Sequence, residues 1–510
     1  MSEETQVGAF YAGKNIFITG GTGFVGLCLI EKILRTIPDV GKIYLLMRPK
    51  KGKEISERLQ EFPTNPVFEK LLTTESKDVF NKLVPISGDV GSQDLGISST
   101  DRQTLIDNVN VVIHSAATLD FEESLKPTVK INILGTRQVM ELCQQIKSLK
   151  VMVHVSSAYV NSYLKEVDEK VYDSPADVES VISMADKLTE QALIDLEKTI
   201  LKKHPNTYTF TKHLAEHEVK KCADKFPCTI VRPTMIVASW KEPVIGWTCS
   251  KVGPQGFLMG AAKGVVRRLP LAKDNIADYI PVDVVVNQLL VAGWNAATSE
   301  SGLTVYHCSS STQKPFRWSI IEPVINDILH NYPLKSAVWY PYLSFVPSLW
   351  LFRLSAIFVH FIPAVLLDTL LRIMGGKPIL FRLHKNVWNS LNRLEIFIFT
   401  EWKFHNKNTR ELNDKLNKTD KEKFYINIES MYWEEYFVNL HLGVRRYLNK
   451  ESEKTLPAAK NKQSILKMVH IVWQVLVITL VWFIFALVTG LTMIQTSWCP
   501  PVIYFFYSLL

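Results

Sequence analysis

What the chain has little of narrows it first. Its seven cysteines are scattered, none in a Cys-x-x-Cys, and the closest pair is Cys222 and Cys228. That argues against a disulfide framework and for free thiols in a reducing compartment. No zinc-site spacing, helix-turn-helix punctuation or RNA-binding signature occurs, so neither a metal nor a nucleic-acid partner is expected. Internal repeats and low-complexity blocks are missing, which argues against solenoids and long disordered tails. The opening "MSEETQVGAFYAGKN" has no apolar core, so it does not read as a secretory signal, and the bulk of the chain is expected to face the cytosol. The net charge of +8 is mild and not gathered into a basic arm. At 510 residues the chain exceeds one ordinary core, and two or three folded units are expected.

What is present is an alternation. Short apolar runs at Ile16–Thr19, Lys42–Arg48, Leu83–Ser87, Val109–His114, Val151–Val155 and Thr229–Arg232 read as strands buried on both faces. Helical periodicity fills most gaps, as in Thr128–Lys147 and Tyr208–Lys225. The fold class that follows is α/β, a doubly wound parallel sheet of Rossmann type with a substrate-binding extension, over residues 13–335.

The first strand runs into "TGGTGFVG", with Gly20, Gly23 and Gly26 spaced by three at a strand-to-helix turn. Glycine there permits a tight turn, close approach of backbone to a pyrophosphate and close helix–sheet packing, and the helix N-terminus offers free amides. An acidic residue roughly 20 positions on would hold the ribose hydroxyls of NAD. That residue is missing: Arg48 stands at the end of the second strand with Lys50 and Lys51 beside it, a cationic end that favours the 2′-phosphate of NADP. Asp89 follows the third strand, placed to accept from an adenine amino group, and the small residues of "HSAA" (His114 to Ala117) follow the fourth. Tyr208 and Lys212 are four apart on a predicted helix and so share a face.

From about Pro333 the texture changes. Residues 336–450 read as a smaller, mainly helical domain, whose apolar stretch from Trp339 to Ile373 is interrupted by Arg353, His360, Asp368, Pro347 and Pro363. Such interruptions favour a membrane-apposed or packed segment over a span. A lysine-rich linker, 451–467, leads to residues 468–494, which contain no Asp, Glu, Lys or Arg and exceed the ~20 residues that cross a bilayer. By the positive-inside tendency, the span leaves the folded part in the cytosol and a short tail, 495–510, beyond the membrane.

Taken in order, "TGGTGFVG", "SGDV", "HSAAT", "HVSSAY", "YTFTK" and "VRP" resemble the extended short-chain dehydrogenases/reductases. With "RPTMIVASWKEPVIGW", "IADYIPVDVVVN" and "FIPAVLLDTLLRIMGGKP", residues 13 to 450 are similar to alcohol-forming fatty acyl-CoA reductases. The resemblance implies reduction of a long-chain acyl-CoA by NADPH, through an aldehyde, to a primary alcohol and free CoA. It implies Tyr208 and Lys212 as the active Tyr-x-x-x-Lys pair. Ser157, in preference to Ser156, becomes the active hydroxyl where many relatives carry Thr. It further implies cofactor contacts from Thr19, Gly20, Gly21, Thr22, Gly23, Phe24, Val25, Gly26, Arg48, Asp89, Val90, Ala116, Ala117, Tyr208, Lys212, Arg232 and Pro233. A bilayer is the expected partner through the C-terminal anchor, on peroxisome or, as the alternative, endoplasmic reticulum, and homo-oligomers are compatible with it. The fold alone also hosts sugar-nucleotide epimerases and 3β-hydroxysteroid dehydrogenases, and a catalytically silent membrane protein would share it.

Overall fold

The computed structural model describes residues 4–50, 52–121, 123–300 and 302–509, leaving Lys51 of the basic turn outside the described residues. These residues group into two compact units that do not follow chain order. The first comprises the chain up to Ser250, Ile276–Phe316 and Glu401–Leu440; the second comprises Lys251–Asn275, Arg317–Thr400 and the chain from His441 onward.

The first unit is built on seven parallel strands. β1 (Ile16–Thr19), β2 (Ile43–Met47), β3 (Leu83–Ser87), β4 (Val111–His114), β5 (Val151–Val155), β6 (Cys228–Pro233) and β7 (Thr304–Cys308) lie in the order β7-β6-β5-β4-β1-β2-β3. The chain reverses its direction of travel across the sheet between β1 and β4, where open α/β sheets bind their ligands. β1, β2, β4, β5 and β6 are buried along their whole length, which their unbroken apolar runs require. β7 is the strand the sequence patterning did not separate from its surroundings. Four helices matter for the site: α1 (Phe24–Thr36), α2 (Gly135–Gln145), α3 (Thr207–Lys220) and α4 (Val282–Thr298). The expected helix over Thr128–Lys147 begins instead with a π-helical turn, Val129–Leu134, and becomes regular only at Gly135.

The boundary drawn near residue 335 follows a change of texture along the chain, whereas the compact units follow contacts. Residues 401–440 rejoin the first unit because they complete it. Lys403–Phe404 pairs in parallel with Glu166–Val167. Asn408 Nδ2 donates to the carbonyl of Val305 (3.0 Å) on edge strand β7. Glu169 accepts from the His307 amide (2.8 Å) and the Thr409 hydroxyl (2.8 Å), tying both segments to one carboxylate.

The second unit is mainly helical. α5 (Leu349–Ala356), a π-helical turn (Ile357–Phe361) and α6 (Ile362–Ile373) form one stretch, and α7 (Leu380–Phe399) returns along it. α8 (Leu456–Thr489) is apolar over its second half, and α9 (Cys499–Leu509) follows. By length and composition, Leu349–Ile373 and Glu453–Thr489 could each cross a membrane. The lysine-rich segment 451–467 contains the first turns of α8. Beyond residue 494, α9 packs back on α8, with Trp482 Nε1 donating to Thr496 Oγ1 (2.9 Å) and Phe485 edge-on to Trp498. A chargeless, apolar tail has more surface to bury against a helix than to gain from water.

Candidate active site

The strand ends at the switch point and one buried helix build the site. At the end of β1 the chain turns through Gly20, whose φ of +78° lies in the left-handed region. A Cβ there would come 2.8 Å from the amide nitrogen of Ala116, so the β1 and β4 ends approach at glycine distance. At Gly26, on the first turn of α1, a Cβ would lie 2.3 Å from the Gly20 carbonyl oxygen. Around Gly23 a Cβ would meet only that same oxygen (3.3 Å), so the backbone there is bare. Gly23 caps α1 with no side-chain bond, and the first turn carries no acid, which leaves its amides and the positive end of the helix dipole available to an anion. Thr22, Phe24 and Val25 are half-buried on this loop, and Gly21 is packed under it.

Arg48 and Asp89, assigned to opposite ends of the cofactor's adenosine, meet each other: Nη1 lies 3.0 Å from Oδ2. Arg48 remains exposed at 62 %, and Asp89 also accepts from the Gly91 amide (3.0 Å). Val90 turns its side chain into the core beside Ile131, while Ala116 and Ala117 stay half-buried at the end of β4. Pro233 is buried at the end of β6, in register with Cys308.

Behind the loop lies a buried polar chain. The Thr136 hydroxyl donates to the Asn132 carbonyl (2.7 Å), so it accepts from His114 Nε2 (3.1 Å). His114 Nδ1 then accepts from the Thr19 hydroxyl (2.7 Å), which in turn accepts from the Ala116 amide (3.2 Å). Each proton in this chain has one place to go, and His114 is neutral: burial, with the Lys212 charge beside it, pulls its pKa down to about 3.

α3 carries the candidate reactive groups, Tyr208 and Lys212. Asn206 caps it by accepting from the Thr209 amide (2.9 Å), and most of the helix is buried. Tyr208 is 8 % exposed, and burial pushes its phenol up to about 12, opposed by a hydrogen bond with Ser157. Lys212 is 2 % exposed, and burial draws its ammonium down to about 8. Lys212 is not the group that draws the Tyr208 phenol down. Lys212 Nζ donates to the Val155 carbonyl (2.7 Å) and to His154 Nε2 (3.2 Å), and the group drawing Tyr208 down is Ser157.

The structure separates the two serines. Ser156 Oγ donates to Glu216 Oε1 (2.6 Å), while Ser157 begins the turn Ala158–Asn161, accepts from the Tyr159 amide (3.3 Å) and is the side chain that draws the Tyr208 phenol down. Glu216 also takes Arg232 in a fully buried bidentate pair, with Nε to Oε1 at 2.8 Å and Nη2 to Oε2 at 2.6 Å. Arg232 was expected among the cofactor contacts. Its guanidinium instead serves Glu216, the carbonyls of Asp168 and Lys170, and His307, so it clamps α3 to β6. His114, His154, Asn132 and Glu216 are the residues that sequence reasoning missed. The one available signal was that two neighbouring strands, β4 and β5, each carry a histidine at the same register.

Thus Ser157, Tyr208 and Lys212 converge beyond the end of β5, one strand from the glycine loop's partner β4. An open cleft bordered by Glu169, Lys220, Asp224 and Thr304 sits where β7 begins, at the other end of the sheet.

Comparison with known proteins decides the family. A profile described as male sterility protein matches residues 18–289, and a second of the same description matches 359–451. A Drosophila melanogaster protein provisionally named fatty acyl-CoA reductase CG8306 is 56 % identical over 508 residues, covering 98 % of both chains. The chain belongs to the fatty acyl-CoA reductase family. Fatty acyl-CoA reductase 1 of Rattus norvegicus and of Homo sapiens are each 34 % identical, covering 93 % of this chain and 92 % of theirs. In structure, this reductase is similar to the terminal R domain of the myxalamid biosynthetic pathway (TM-score 0.54, 18 % identity, 83 % of this chain and 92 % of that one). It is equally similar to the R domain of a Mycobacterium tuberculosis non-ribosomal peptide synthetase (TM-score 0.54, 18 % identity, 87 % and 97 %), a likeness of fold. The extended short-chain reductase fold is therefore shown, and with it an oxidoreductase using a nicotinamide cofactor, which the bare Gly23 backbone and the open α1 N-terminus fit.

Proposed function

We propose that this reductase converts a long-chain fatty acyl-CoA to a primary alcohol with release of CoA, in two successive NADPH-dependent reductions through an aldehyde, feeding fatty alcohol, wax or ether-lipid synthesis. The observation that carries the reading is the buried Ser157–Tyr208–Lys212 group beyond a glycine loop with a cationic second-strand end. The glycine turn and α1 N-terminus would hold the pyrophosphate, and Arg48 the 2′-phosphate. NADPH, when bound, supplies the hydride in each round.

The chain's own residues handle charge and protons. As negative charge builds on the substrate's carbonyl oxygen, the Ser157 and Tyr208 hydroxyls donate to it. In the first round that charge collapses to expel the thiolate of CoA and leave an aldehyde. In the second the oxygen keeps its charge until Tyr208 delivers a proton. Burial keeps the phenol protonated until an oxyanion needs it, and Lys212, fixed by Val155 and His154, can return the proton at neutral pH. We also infer that the apolar half of α8 anchors the protein, with the reductase unit in the cytosol and the peroxisomal membrane favoured over the endoplasmic reticulum. The similarity to fatty acyl-CoA reductases supports the substrate class, and the exposed apolar face of α8 supports the anchor. The test is the purified full chain with NADPH and palmitoyl-CoA, its products identified by mass spectrometry. Hexadecanol is expected; turnover that stops at hexadecanal, or none with any acyl-CoA, overturns the reading.

A further inference from the structure

The second unit carries an apolar surface that neither the reduction chemistry nor the α8 anchor uses. α5 and α6, then α7, form a hairpin turned at residues 374–379. One side is internal: Phe352, Ala356, Val359 and Leu391 are buried there. The other side exposes Trp350 (67 %), Phe358 (49 %), Leu366 (51 %), Leu370 (51 %), Ile373 (79 %) and Phe381 (45 %). Single exposed apolar residues need no explanation, but a side of this size on adjoining helices does.

Three features say what covers it. The first is charge. Residues 349–399 contain six cations and two acids, Asp368 and Glu395. Asp368 is committed to the turn: its carboxylate accepts from the amides of Ile379 (3.1 Å), Leu380 (3.0 Å) and Phe381 (2.9 Å), capping α7. The exposed charged side chains around the tip, Arg372, Lys377, Arg382 and Lys385, are all basic. An apolar side rimmed by cations matches a leaflet with anionic headgroups.

The second is attachment. His360 Nε2, in the π-helical turn, accepts from the amides of Arg267 (3.1 Å) and Arg268 (3.3 Å). The guanidinium of that same Arg267 lies 3.4 Å from His470 Nε2 at the start of the apolar half of α8, and donates to it. The hairpin and the root of α8 thus share one fastening, so a bilayer that receives α8 meets the hairpin.

The third is the irregularity of the stretch. The π-helical turn, the capping Asp368 and Arg353, which donates to Asn392 Oδ1 (3.0 Å), would all fall in hydrocarbon if Leu349–Ile373 crossed the membrane. Lying in the interface, they keep their partners and stay near water.

We propose that the α5–α7 hairpin is a second membrane contact, lying in the plane of the bilayer with its exposed apolar side in the leaflet facing the folded units and its basic tip on anionic phosphates. It rests on the α8 anchor and on no step of the reduction.

The test reconstitutes the full chain into phosphatidylcholine vesicles, with and without phosphatidylserine, containing a phospholipid with a photoreactive group on its acyl chain. Labelled residues are mapped by mass spectrometry. Label is expected on the apolar half of α8 and also on the exposed side of the hairpin. Leu366→Glu with Leu370→Glu should lose the hairpin label while keeping the α8 label and NADPH binding. Lys377→Glu with Arg382→Glu should abolish the increase in hairpin label given by phosphatidylserine. Label confined to α8 overturns the inference and leaves the anchor standing; no label anywhere overturns both. Cross-links from the hairpin to a second copy of the chain would assign the face to a dimer instead. A cysteine at Gly376 that reacts with an impermeant maleimide only from the far side would make the stretch a span. Either result overturns the inference.

Discussion

Among the described residues, no charged group makes Tyr208 acidic. Burial raises it to about 12, and only the Ser157 hydroxyl opposes. In the proposed mechanism it is therefore a reservoir that yields its proton to an oxyanion and not to water. Tyr208→Phe should lower alcohol formation by about 10²–10⁴-fold, the range for losing a positioned acid, with NADPH binding measured by fluorescence nearly unchanged. In the proposed mechanism Lys212 sets the pH limit and returns the proton. Its pKa is drawn down to about 8, so the ammonium that returns the proton is present below that value and lost above it. The rate should fall as pH rises through about 8. The imidazole of His154 accepts from the ammonium, which favours the charged form. His154→Leu should move the falling limb to lower pH, and an unmoved limb would show that the contact does not hold the charge. At the other end of the cofactor, Arg48→Asp should raise the KM for NADPH far more than that for NADH. Equal effects would remove Arg48 from 2′-phosphate recognition.

Elements explain why these residues meet. α3 can be buried because its polar groups find partners inside: Lys212 on β5, Glu216 on Ser156 and Arg232, and Thr211 Oγ1, which receives Asn132 Nδ2 at 3.0 Å. The β1–α1 turn holds only with glycine at two positions. Gly26→Ala forces a Cβ to within 2.3 Å of the Gly20 carbonyl. It should cost about 1–3 kcal/mol in chemical denaturation and weaken cofactor binding by displacing the α1 amides. Six of the seven strands and the glycine turn were legible because buried parallel strands write continuous apolar runs. Helix spacing put Tyr208 and Lys212 on one face, and only the family resemblance gave them roles. The partners of Lys212 were not legible, because His154 and Val155 lie on a strand almost 60 residues away and only register brings them beneath α3. The partner of Arg232 was hidden for the same reason: an arginine before a proline at a strand end gives no sign that a buried glutamate waits on a helix. The return of residues 401–440 to the sheet edge rests on a two-residue strand and a handful of side-chain bonds, too short for any period to register.

At the scale of the whole molecule, one unit carries a nicotinamide-cofactor fold with a buried acid group, and the other carries the apolar helices suited to a bilayer. A substrate with a hydrocarbon tail and a water-soluble thioester head calls for both. The central claim is that one Ser157–Tyr208–Lys212 group serves two successive reductions, and stoichiometry tests it most directly. The full chain in detergent or vesicles is given palmitoyl-CoA and excess NADPH, and NADPH oxidation is followed by absorbance while released CoA thiol is titrated in the same sample. The account predicts two NADPH oxidised for each CoA released, from the first turnovers onward. A ratio of one, with aldehyde accumulating, would contradict it.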